Sequence, residues 1–285
     1  MSEPQFGSGA QPQNVPVCKN HPDRVTYVRC QRCGDPICPD CTHQAAVGVQ
    51  CTQCVREGAR NIRPQMTIAG GRVRTGRPVA TLTFIGLCVV AYVAQMALGW
   101  DGFTSKYAFA PARAESEPWR FITGAFLHSP NQIFHILLNM AALWIVGSQL
   151  EFILGRWRFV TLYLLAAVGG NVMVLLLSAP LSVSWNTPTV GASGAIFGLF
   201  GALIPVARKI GAEIRSIYVL IGINVAISFI VPNVSWQGHF GGLIVGLLLS
   251  LAYVKAPKEN RTKFAVGASV GVALILIAVT LLKLA

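Results

Sequence analysis

Acidic side chains are scarce in this chain: 11 Asp and Glu stand against 23 Lys and Arg in 285 residues, and none lies inside its long apolar runs. That argues against a transporter with an acidic mid-membrane site, as does the want of an inverted internal repeat. Charge of either sign is also low, at 12% of residues with a mean hydropathy of +0.54, where a soluble domain carries about a quarter. An ordinary soluble fold is thereby excluded. Residues 1–14 lack the apolar core of a signal peptide and, being polar and rich in Gly, Pro and Gln, read as a disordered tail.

What the chain has instead is apolar runs of membrane length, at 79–98, 131–150, 159–178, 190–207, 216–231, 234–254 and 264–282. Each approaches the ~20 residues that cross a bilayer core, the fifth being short. Seven spans place the termini on opposite sides. With the N-terminus in the cytoplasm, the inner loops collect Arg63, Arg72, Arg74 and Arg77, then Arg156 and Arg158, then Arg208, Lys209 and Arg215, then Lys255, Lys258, Arg261 and Lys263. The outer side keeps Lys106, Arg113, Arg120 and the terminal Lys283, and the loops 179–189 and 232–235 are uncharged. This asymmetry predicts a cytoplasmic N-terminus, an external C-terminus and a multi-pass plasma-membrane location. It also accounts for the net charge of +12 through topology and contact with the lipid bilayer, so nucleic acid is not an expected partner.

Seven of the eight cysteines fall before residue 55, as Cys18-x2-His21, Cys30-x2-Cys33, Cys38-x2-Cys41 and Cys51-x2-Cys54. Four such knuckles supply eight ligands, the complement of two tetrahedral Zn2+ ions. Disulfides are the alternative, but a reducing cytoplasm disfavours them. The first knuckle can share a metal with the third and the second with the fourth, or the sites can lie in tandem; interleaving is the expectation because it locks more loops. His43 reads as a surface residue and Cys88 as a packing residue. Eight ligands leave no open coordination position, so the metals are expected to be structural and no cofactor serves catalysis. The module resembles a B-box-type or treble-clef-like zinc finger. The expected organisation is a tail at 1–14, the zinc module at 15–58, a basic linker at 59–78 and a membrane domain at 79–285.

Two polar interruptions mark the membrane domain: Gly191-Ala192-Ser193-Gly194, and Gly238-His239-Phe240-Gly241-Gly242. By the topology above, Ser193 and His239 sit at the outer ends of their spans, and His135 and Asn139 lie at similar depth in another. A serine hydroxyl becomes a nucleophile beside a base, and histidine has the right proton affinity. His135 and Asn139 are four residues apart on one helix face, and both can donate to an oxyanion. Gly238, Gly242 and Gly246 form a small-residue face for close helix approach. Against this stand plainer roles: a packing serine, histidines bonded to carbonyls, and an asparagine joining helices, the role read for Asn171 and Asn224. His128 is read as structural, and Glu151 as tying the inner end of the second span to a cytoplasmic arginine.

These residues resemble the rhomboid intramembrane serine proteases. The resemblance rests on Trp119-Arg120, His135-x3-Asn139, Gly191-Ala192-Ser193-Gly194 and His239-x2-Gly242-x3-Gly246, in family order across about residues 79–254. Fused to the zinc module, the chain looks like the actinobacterial type. The resemblance implies an all-α polytopic membrane protein: a six-helix rhomboid core plus a C-terminal seventh helix, preceded by the two-zinc module. It implies a serine endopeptidase with a Ser193–His239 dyad, an oxyanion site from His135, Asn139 and the Ser193 amide, and transmembrane protein substrates cut near the outer face. Trp119 and Arg120 would anchor the outer loop, and Gly191, Gly194, Gly242 and Gly246 would permit the fold. Phe197 stands where some bacterial members have a tyrosine packed on the catalytic histidine. A cytoplasmic protein partner for the zinc module is a further expectation. The rival reading is a non-catalytic rhomboid-like protein that holds membrane clients for quality control; such proteins normally lack the Ser or the His, and both are here.

Overall fold

The computed structural model describes residues 15–61, 66–71, 73, 75–232 and 234–285, which divide into two compact units, up to Pro64 and from Gln65 onward. The tail at 1–14 and the arginines at 63, 72 and 74 lie outside the described residues.

The first unit holds two small hairpins. β1 (Val17–Cys18) pairs antiparallel with β2 (His21–Val25), and β3 (Thr42–Gln44) with β4 (Val49–Cys51). α1 (Thr52–Asn61) follows directly, and the core is Ile37 with six buried cysteines. So few apolar side chains cannot hold a fold of this size by burial alone, which is why small domains rely on metals or disulfides.

The second unit is helical. α2 (Val79–Gly99) leads into a connecting segment with the short helices α3 (Ser105–Tyr107) and α4 (Arg120–Thr123). α5 (Ile133–Ala142) and α6 (Ser148–Leu154) join through π-helical turns at Leu143–Gly147 into one rod of 22 residues. α7 (Arg156–Leu177), the short α8 (Val183–Asn186), α9 (Ser193–Ile210), α10 (Arg215–Ile230), α11 (Trp236–Lys255) and α12 (Arg261–Leu284) complete it. Among the described residues six helices are long and apolar enough to cross a membrane; α10, at 16 residues, is shorter. The chain is a multi-pass membrane protein.

Glycine decides the packing at the centre. A Cβ on Gly242 would sit 1.8 Å from the carbonyl oxygen of Gly194, and one on Gly246 would sit 1.9 Å from that of Gly198. No side chain fits there, so α9 and α11 run backbone against backbone, the approach that small residues allow inside a bilayer. α7 closes the trio, with Gly170 over the carbonyl of Gly238. α12 is the least enclosed, only 11% of its apolar window being buried.

Glu151 makes the expected ion pair with an arginine, Arg156, at 3.4 Å, and does more besides. Its carboxylate accepts from the amides of Ala80 and Thr81 at 3.0 and 2.8 Å and from the Thr81 hydroxyl at 3.0 Å, while Arg156 Nε stands off at 3.4 Å. It therefore caps the first turn of α2, where free amides and the helix dipole favour an anion, more than it pairs with arginine.

Candidate active site

The segment between α2 and α5 is built around Arg120. Its guanidinium is buried and donates to the carbonyls of Ser105 and Ala108, both at 2.6 Å, and to Glu117 at 2.7 Å. Those bonds fasten the chain after α2 onto the start of α4, whereas Trp119 is half exposed beside it. The hydrogen bond from Arg120, and the Coulomb attraction of Arg120 and Arg113, hold the Glu117 carboxyl below its ordinary value against the effect of burial. Further along, Phe109 and Thr189 exchange backbone hydrogen bonds, and the Gly191 amide donates to the Gly124 carbonyl. The strand-like approach to Ser193 is thus tied to this segment.

Gly191 has φ +137°, a conformation open to glycine, and the chain then enters α9 with Ser193 as its first residue. The Ser193 amide is consequently one of the unpaired donors of a helix N-terminus. A point one Cβ above Gly191 lies 2.9 Å from His135 Nε2 and 3.4 Å from Ser193 Oγ, so the glycine keeps open a space bordered by both.

The Ser129 amide donates to His135 Nδ1 at 3.2 Å. A ring nitrogen that accepts bears no proton, so the His135 proton is on Nε2, the nitrogen facing Gly191 and Ser193. Ser228 Oγ lies 2.8 Å from the Asn224 carbonyl and 2.6 Å from His239 Nδ1. When the hydroxyl donates to the carbonyl it accepts from Nδ1–H, and the His239 Nε2 lone pair is then left for a proton acceptor's role. His239 is 7% exposed, and its ring stacks on Phe197, one turn beyond Ser193, at 4.0 Å and 11°. No hydrogen bond joins His239 to Ser193 among the described residues; resting catalytic pairs often tighten only on substrate.

Asn139 is buried and donates to the His135 carbonyl at 2.7 Å, so one of its two N–H bonds is committed to its own helix. Asn171 donates to the Phe121 carbonyl at 2.9 Å and joins α7 to α4; Asn224 bonds within its own helix. The His128 ring lies buried 5.2 Å from that of His135, neither nitrogen having a partner among the described residues. Ser228 was missed by sequence reasoning. A serine in an apolar helix is common, and only its one-turn spacing from Asn224 hinted at anything.

In the first unit the donors gather in two groups, Cys18, His21, Cys38 and Cys41, and Cys30, Cys33, Cys51 and Cys54, each with all ligand atoms within 4.8 Å of one another. The knuckles therefore interleave, first with third and second with fourth. His21 Nδ1 lies 3.8, 3.3 and 3.4 Å from the sulfurs of Cys18, Cys38 and Cys41, and Cys33 and Cys51 sulfurs are 3.8 Å apart. A tetrahedral metal with bonds of ~2.3 Å to sulfur sets sulfurs about 3.8 Å apart, so the donor set fits such an ion. Burial opposes ionisation of Cys30, yet amide hydrogen bonds from Cys33, Cys51 and Arg32 outweigh it and bring that thiol down to about 6. His43 is outside both groups, with its Nε2 3.1 Å from the Thr52 hydroxyl.

A helical membrane bundle with a serine at a helix N-terminus, one histidine bordering the same space and a second stacked one turn along that helix makes a candidate serine-centred intramembrane site. Comparison with known proteins narrows it. Residues 115–256 match the Rhomboid domain. The chain is 34% identical over 192 residues to rhomboid protease GluP of Bacillus subtilis (strain 168), covering 63% of this chain and 36% of GluP. It is 36% identical over 153 residues to putative rhomboid protease YdcA of the same organism, covering 52% of this chain and 73% of YdcA. With rhomboid protease GlpG of Haemophilus influenzae it is 28% identical over 190 residues, covering 63% of this chain and 93% of GlpG. The chain belongs to the rhomboid family.

Proposed function

We propose that this protein is an intramembrane serine endopeptidase that cuts transmembrane helices of other membrane proteins near the outer face of the plasma membrane. The observation that carries the reading is the arrangement around Ser193 at the start of α9: His135 Nε2 and Ser193 Oγ border the same space above Gly191, and His239 stacks on Phe197 one turn along that helix. The rhomboid proteases it resembles support it.

In this reading a substrate helix unwinds at its outer end, and its peptide carbonyl enters the space above Gly191. Ser193 Oγ attacks the carbonyl carbon while His239 Nε2 takes the hydroxyl proton. The oxyanion receives hydrogen bonds from His135 Nε2, the Ser193 amide and the second N–H of Asn139. His239 then gives its proton to the leaving amine. Water, deprotonated in turn by His239, hydrolyses the acyl-serine. Ser228 takes the place that an aspartate has in a triad, holding the tautomer but adding no charge.

The charge asymmetry of the loops supports a cytoplasmic N-terminus and external C-terminus. The interleaved groups would hold two structural Zn2+ ions, supplying fold rather than chemistry. That module would then meet a cytoplasmic protein, or the cytoplasmic tail of a substrate.

The test is cleavage of a single-span substrate in proteoliposomes. Wild type should cut, while Ser193→Ala and His239→Ala should lose at least about 10³-fold. Cutting by both variants at the wild-type rate would overturn the assignment, and labelling of Ser193 by a fluorophosphonate separates a wrong substrate from an inactive protein.

A further inference from the structure

Arg158, on the first turn of α7, is fully buried, and no ion pair among the described residues includes it. Its Nη2 reaches the Thr262 hydroxyl at 3.5 Å, a contact at the limit of hydrogen bonding, and its Nε and Nη1 have no partner among the described residues. Gly170 on the same helix touches the Ser193 end of the bundle, and twelve residues of helix put Arg158 ~18 Å from it. The site lies away from the catalytic residues.

A second guanidinium stands beside it. Arg261 opens α12, donates to the Thr67 carbonyl at 3.3 Å, and has a buried Nε with no partner among the described residues. A Cβ on Gly70 would lie 2.8 Å from Arg261 Cδ and 3.5 Å from Arg158 Nη2, so both side chains pass the same glycine. Beside Arg261 the chain forms a cavity of about 370 Å³ with Gly70, Lys258, Glu259, Arg261, Thr262 and Lys263 among its lining; Arg158 is not part of that lining and meets it through Thr262 and next to Gly70. Glu259 is the one acid in that lining, and segment 61–78 carries four arginines and no Asp or Glu.

Two adjacent guanidiniums repel each other, and burying one unpaired is costly. The Trp157 ring, 4.5 Å from Arg158 Cζ, offsets part of that cost. An anion would offset much more. Asn260, at the cap of α12, makes no side-chain capping bond, so the amides of the first turn remain available to an anion too. Arginine pairs, a hydroxyl and helix-terminal amides are the groups that recognise phosphate. Beyond the cavity, Phe264, Val266 and Val270 on α12 are exposed apolar side chains that suit acyl chains.

We propose that Arg158, Arg261, Thr262 and the first turn of α12 form a binding site for a phosphate group, carried by a phospholipid head group or free in solution. Occupancy joins α7, α12 and the segment at 66–71 around one charge. The proposal does not depend on proteolysis.

The test uses the delipidated full chain in neutral detergent, with melting temperature read against added phosphatidylglycerol, phosphatidylcholine or inorganic phosphate. Phosphatidylglycerol should raise it by several degrees at concentrations at least tenfold below those at which phosphatidylcholine acts. An equal shift with inorganic phosphate assigns the site to soluble phosphates; a shift with lipid alone assigns it to a head group. Arg261→Gln and Arg158→Lys should each weaken the response at least tenfold, and Lys209→Gln should leave it unchanged. Arg158→Gln should melt no lower than wild type without ligand, since it removes an unpaired charge, whereas a purely structural arginine would make that variant less stable. Failure of both anions to shift melting, or wild-type responses from the Arg158→Lys and Arg261→Gln variants, overturns the proposal.

Discussion

Ser228 Oγ lies 2.6 Å from His239 Nδ1 and 2.8 Å from the Asn224 carbonyl, so a hydroxyl that donates to the carbonyl accepts from Nδ1–H of the imidazole. This contact comes from α10 and in that arrangement frees Nε2 of the proposed base. Ser228→Ala should lower kcat about tenfold with little change in KM, the effect of one lost positioning hydrogen bond. Ser228→Thr should recover much of it. An unchanged rate and pH profile in Ser228→Ala would show that packing against Phe197 suffices to place the ring.

The backbone contact of α9 with α11 leaves no room for a methyl group. Gly242→Ala and Gly246→Ala should each cost about 1–3 kcal/mol, the range for overpacking, and should lose activity as Ser193 and His239 are pushed apart. Gly222→Ala and Gly267→Ala, where an added Cβ meets nothing within 4 Å, serve as controls and should melt within a degree or two of wild type.

Metal analysis of the full chain should find two zinc equivalents. Cys30→Ser should retain about one, because its group is separate from that of Cys18. Removing metal with a chelator should expose the seven cysteines of the first unit to a thiol reagent while Cys88, buried in α2, stays protected. Full thiol protection after complete metal removal would contradict a structural role.

Glu117 should make stability depend on pH. Its folded carboxyl is lowered by Arg120, so the pair stabilises above the ordinary glutamate range, ~4.3, and that contribution fades as pH falls through the lowered value. Glu117→Gln should therefore melt below wild type at pH 7, with the gap closing below about pH 4. A gap independent of pH would mean that the glutamine lost shape rather than charge.

Much of the molecule was legible in the sequence because the relevant signals are local. Apolar length marks helices wherever they pack, and α2, α7, α9 and α11 begin and end within about three residues of the runs at 79–98, 159–178, 190–207 and 234–254. A knuckle is a four-residue unit, so Cys30-x2-Cys33 announces a ligand pair by itself. Glu151 pairs with Arg156 as read, but its capping of α2 was not legible for the complementary reason: those partners, Ala80 and Thr81, are about seventy residues earlier, and nothing near Glu151 points to a helix N-terminus.

The sequence by itself determined that this chain enters membranes, pairs its cysteines at the spacing of metal ligands and carries the serine, histidines and glycines of the rhomboid family in order. Tertiary structure alone decided which knuckles come together, that the Ser129 amide donates to His135 Nδ1 while His239 Nδ1 faces Ser228, and that Arg158 is buried beside Arg261. Each of these depends on atoms distant in sequence and adjacent in space. A tautomer follows from the partner across the ring, and the cost of a charge follows from the water that its neighbours exclude.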